Sequence, residues 1–109
     1  MSLDVAELSM KMLGAFKGEL SEKWPDVSDY AEAESKKLAE NFVMIEKLKR
    51  SEKITEEQAK LHHEIQRNAS RSVLLTIEGL GLLAVEQAIN AAMSVLKDSV
   101  NGALNFALI

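Results

Sequence analysis

Charge nearly disappears from the last third of this chain, and that loss constrains the fold more than any motif does. Of the 30 formal charges, 25 lie in residues 1–70, and only Arg71, Glu78, Glu86, Lys97 and Asp98 lie beyond. From Val73 onward 23 of 37 residues are apolar. A surface helix of a globular protein turns an apolar stripe of roughly a third to a half of its circumference inward. A segment richer than that is expected to be covered on more than one side. The C-terminal third therefore reads as the core of an assembly.

The rest of the composition narrows the class. The chain of 109 residues fits a single helical domain, residues 1–109, rich in Ala, Leu, Glu, Lys and Ser, with one Pro and five Gly. Strong helix formers dominate, which points to an all-α fold. The net charge of −4 comes with no basic stripe, so nucleic acid is not an expected partner. There is no cysteine, hence no disulfide framework and no thiolate metal site. The opening MSLDVAEL places acids where a secretory signal needs bases, which sets a cytoplasmic expectation. The longest uncharged runs, residues 87–96 and 99–109, fall short of the ~18 apolar residues that a membrane span requires.

Helical spacing of Val5, Leu8, Met12, Ala15, Phe16 and Leu20 predicts a first helix over about residues 4–22, weakened by Gly14 and Gly18. Trp24-Pro25 punctuates the chain, and Asp26 and Ser28 are credible caps for a second helix over about residues 27–50. Its stripe is Ala31, Leu38, Phe42, Ile45 and Leu48. Acids crowd its start and Lys47, Lys49 and Arg50 its end, as the helix dipole favours. After a short turn, Thr55 and Gln58 form a capping box.

From there one stripe runs through Gln58, Leu61, Ile65, Asn68, Ser72, Leu75, Gly79, Leu82, Ile89, Met93, Leu96, Val100, Leu104 and Ala107 in steps of three, four or seven. It passes Gly79 and Gly81 in phase. The favoured reading is a helical hairpin, residues 1–54, followed by one long helix over about residues 55–105, bent at the glycines and packed in an oligomeric helical bundle. Such a rod would be about 75 Å long. The alternative is a monomeric four-helix bundle with a break at Gly79 and Gly81. Leu80, Ala84, Ala88 and Ala92 recur every four residues beside Leu82, Ile89, Met93 and Leu96, which reads as a self-association seam through the C-terminal third. The competing use of that seam is contact with the first helix of the same chain.

Few residues suggest chemistry. Arg67 and Arg71 are neighbours at i,i+4 and could hold an anion or a partner's carboxylates. Adjacent His62 and His63 point about 100° apart on a helix and lack the Glu-x-x-His or His-Glu-x-x-His spacing of helical metal sites; Glu34, Glu40 and Glu46 would have to complete one. Gln87, Asn90, Ser94, Asn101 and Asn105 form an uncharged polar stripe that fits a register-setting seam, a narrow lumen or a solvated face. No catalytic, cofactor-binding or metal residues are assigned, and no small-molecule ligand is specified. The reading is a non-enzymatic, self-associating helical protein with a structural or adaptor role. One alternative is a membrane-active pore or phage-lysis-like protein, motivated by Glu78 and Glu86 in the apolar segment. The other is a metal-binding bundle.

Overall fold

Asp4 is extended, and its carboxylate accepts the Ala6 amide at 2.9 Å, which opens α1 (Val5–Glu19). The computed structural model describes residues 2–109. A 3₁₀ turn, Ser21–Lys23, leads straight into α2 (Trp24–Arg50). That helix starts three residues before the predicted residue 27, because Pro25 in its first turn has no amide to satisfy and its fixed φ suits the position. Asp26 thus lies inside the first turn, where its charge complements the dipole, and is not the cap.

α2 closes with Glu52 in the left-handed region at φ 57°. Lys53 N–H donates to Leu48 O and Glu52 N–H to Lys49 O, the Schellman pattern that satisfies the last carbonyls. α3 (Glu56–Leu75) then begins on the expected capping box. Thr55 N–H donates to Gln58 Oε1 at 2.9 Å, and Gln58 N–H donates to Thr55 Oγ1 at 3.1 Å.

The long C-terminal helix is not formed. α3 ends at Leu75, and α4 (Leu82–Leu104) begins after six intervening residues. Gly79 has φ +90°, a conformation that L side chains rarely adopt, and Ile77 turns into the core at the same point. Gly81 is extended and opens α4. The radius of gyration, 13.7 Å, and the extents of 42 × 22 × 18 Å leave no room for a 75 Å rod. The stripe keeps its phase through the connection, yet its two halves meet opposite environments. Leu61, Ile65, Leu75 and Leu82 face water, whereas Ile89, Met93, Leu96, Val100 and Leu104 are buried.

α1 packs chiefly on α2 and α4, and α2 on α3; the α3–α4 contact is slighter. The core is Leu8, Met12 and Phe16 from α1, Val27, Leu38, Phe42 and Ile45 from α2, and a full face of α4. From α3 it takes only Ala59 and Leu74. Buried Glu46 ties the ends together: its carboxylate accepts the Leu3 amide at 3.0 Å and pairs with Arg50 at 3.2 Å.

Candidate interaction surface on the third helix

With its start set by Thr55, α3 turns Ala59, His63, Ser70 and Leu74 toward the bundle. At 3.6 residues per turn the opposite side carries Leu61, Ile65, Asn68, Ser72 and Leu75. All five are exposed, Leu61 at 58% and Ile65 at 66%. Leu82 and Leu83, at the start of α4 and just past the end of this stripe, are exposed at 59% and 72%. Helices normally bury the more apolar face. α3 buries the smaller, more polar one and presents three branched aliphatic side chains to water. Exposed apolar side chains gathered on one helix face are a feature of interaction sites.

Small residues explain the inward face. Ala59 and Ser70 let α3 approach α2, and the His63 ring lies against Phe42 with centroids 5.1 Å apart. The inward face of α3 is incompletely paired: both His63 ring nitrogens are buried without a protein partner, as are Glu34 Oε1 and Ser35 Oγ on α2. Burial, with the Arg67 guanidinium adding to it, lowers the His63 imidazole from 6.5 to about 4. His63 is therefore neutral at pH 7. No group of three or more His, Cys, Asp or Glu residues converges on a metal-sized site among the described residues.

Arg67 and Arg71 are engaged within the chain. Arg71 pairs with Glu86 of α4 and with Asn68, and Arg67 donates to Asn90. Lys60, His63, Glu64 and Leu108 line a shallow cleft with them. The two arginines act here as polar clamps across the slight α3–α4 contact.

The residues expected to form a seam are distributed differently. Ala88, Ile89, Ala92, Met93 and Leu96 are buried inside the chain, on the face α4 turns toward the bundle; Leu80 and Ala84 are half-buried, and Leu82 is exposed. Within the polar stripe, Gln87, Asn90, Ser94 and Asn105 are exposed. Asn101 instead holds the tail. Its Oδ1 accepts the Leu108 and Ile109 amides at 2.9 and 3.0 Å, and its Nδ2 donates to Ile109 O at 3.2 Å. Spacing alone groups Leu61, Ile65 and Leu75 with Ile89, Met93 and Leu96 in one stripe, yet the structure turns the first three to water and buries the others. The true inward face, Ala59, His63, Ser70 and Leu74, mixes small, polar and apolar residues, so no hydrophobicity pattern picks it out.

Comparison of the chain with known protein families, with curated proteins and with solved structures finds no match. No helix among the described residues is long and apolar enough to cross a membrane.

Proposed function

We propose that this is a non-enzymatic, self-associating helical protein with a structural or adaptor role, and that α3, together with the adjoining Leu82, carries its association surface. The supporting observation is the outward stripe of Leu61, Ile65 and Leu75, exposed on a helix whose inward face is small and polar. Leaving those side chains in water forgoes the transfer free energy of burial, roughly 25 cal/mol per Å². A second copy of the surface recovers it. The seam moves accordingly from the alanine face of α4 to α3, because Ala88 and Ala92 are already covered.

Sedimentation equilibrium between about 5 and 200 µM, the range that resolves micromolar dissociation constants, tests the proposal. The wild-type chain should exceed its 12.0 kDa monomer mass. Ile65→Glu, at an exposed site, should restore the monomer and melt at the wild-type temperature where both proteins are dilute enough to be monomeric. A wild-type monomer throughout that range would overturn the proposal.

A further inference from the structure

We infer that two copies pair through α3 in parallel and in register, each Asn68 facing its counterpart. The inference rests on the self-association reading and specifies its geometry. The outward residues Gln58, Leu61, Ile65, Asn68, Ser72 and Leu75 follow one another in steps of three and four, a heptad pattern in which Gln58, Ile65 and Ser72 are a positions and Leu61, Asn68 and Leu75 are d positions. A β-branched residue at a with leucine at d favours two parallel strands.

Layer matching separates the arrangements. In the parallel pair each layer meets itself: Leu61, Ile65 and Leu75 make apolar layers, and Gln58, Asn68 and Ser72 make hydrogen-bonding ones. Sliding one strand by a heptad sets Leu61 against Asn68 and Ile65 against Ser72. The antiparallel pair that overlaps the whole stripe sets Leu61 against Ser72, Ile65 against Asn68 and Leu75 against Gln58, so each layer is mixed. Shifted antiparallel pairs restore matching only by leaving Leu61 or Leu75 outside the overlap.

Charge agrees with the parallel pair. The g positions are Glu57, Glu64 and Arg71, and the e positions are His62, Ala69 and Thr76. Parallel pairing puts Glu57 beside His62, Glu64 beside Ala69 and Arg71 beside Thr76 of the second copy, with no like charges opposed. The full antiparallel overlap would gain Glu64 beside Arg71, but Arg71 is already paired with Glu86, and exposed ion pairs count for little beside apolar layers. Arg71 also holds Asn68 Oδ1, which leaves Nδ2 to donate across the pair. Asn68 against its counterpart lets the two amides pair, whereas Asn68 against Leu61 or Ile65 buries an amide with no partner.

The chain has no cysteine, so single introduced thiols report the geometry directly. Gln58→Cys and Ser72→Cys replace exposed residues toward the two ends of the stripe; the first removes the Gln58 side-chain half of the capping box and keeps the Thr55 half. Under mild oxidation at the concentrations where the wild type self-associates, each variant alone should form a covalent dimer within minutes. An equimolar mixture of the two should give less than about a tenth of its product as the mixed disulfide, since a 14-residue offset separates the sites by ~21 Å. Met10→Cys, on exposed α1, supplies the rate of random collision. A mixed disulfide as the main product would establish antiparallel pairing and overturn the inference while self-association stood. Association with all three variants at the collision rate would place the contact elsewhere and overturn it equally. A chain monomeric by sedimentation would remove both readings.

Discussion

Protonating His63 is the sharpest test of how α3 sits on the bundle. The side chain is 6% exposed, neither ring nitrogen has a protein partner, and its folded pKa is about 4 against 6.5 for the free imidazole. The unfolded chain therefore takes up a proton from about pH 6.5 downward, and the folded chain does so only near pH 4. More protons on the unfolded state mean that stability falls as pH drops through this window and is fully present above it. Linkage between those two values gives a loss of about 2.5 kcal/mol at pH 4.5 relative to pH 7. His63→Leu removes the titration. It exchanges the Phe42 contact for an aliphatic one and two unpartnered nitrogens for none, so its stability at pH 7 should lie within about 1 kcal/mol of the parent. Urea melts of both proteins at pH 7 and 4.5, followed by circular dichroism, isolate the effect, because carboxylate titrations are common to the two. With m of about 1–3 kcal/mol/M, the parent midpoint should drop by roughly 1–2 M more than that of the variant. Equal acid sensitivity in both proteins would refute the burial of His63, and with it the inward face assigned to α3.

Backbone substitutions test the rest of the frame. Gly79→Ala should destabilise by about 1–2 kcal/mol in thermal melts, since φ +90° is strained for alanine and the new methyl would lie 2.8 Å from Lys23 Nζ. Gly81→Ala, extended and in open space, should change stability by less than about 1 kcal/mol; a reversed order would put the chain reversal in the wrong place. Gly14→Ala and Gly18→Ala lie within α1 with nothing inside 4 Å of the added carbon, and each should stabilise by up to about 1 kcal/mol in chemical denaturation. Glu52→Gly relieves a left-handed non-glycine residue at the end of α2 and should raise the melting temperature by a few degrees, a gain of about 1 kcal/mol.

The parts of the fold legible in the sequence were those governed by local chemistry. Thr55 and Gln58 form the reciprocal cap their spacing implies, and Leu8, Met12, Phe16, Leu38, Phe42 and Ile45 are buried as their periodicity requires. Two things escaped. Periodicity reports that residues share a face without saying which way the face points: Leu61, Ile65 and Leu75 share one face, and it is Ala59, His63, Ser70 and Leu74 that turn inward. Phase also survives a turn of suitable length: residues 76–81 replace a stretch of helix and restore the stripe at Leu82, which hid the break that the positive φ of Gly79 makes. The candidate surface was thus visible as a set of residues and misassigned as an environment.

The small, polar underside of α3 also sets the order in which the molecule comes apart. Lifting this helix exposes Ala59 and Leu74 of its own core side chains and gives water to both His63 ring nitrogens, which lack protein partners in the closed form. Such an opening requires less free energy than global unfolding, and amides in α3 exchange through it while those of α1 and α4 wait for the whole core to fail. A second copy resting on the outward stripe must be released before the helix can lift. Contacts on the wet side therefore slow amide exchange on the dry side, and the protection of α3 becomes a function of protein concentration.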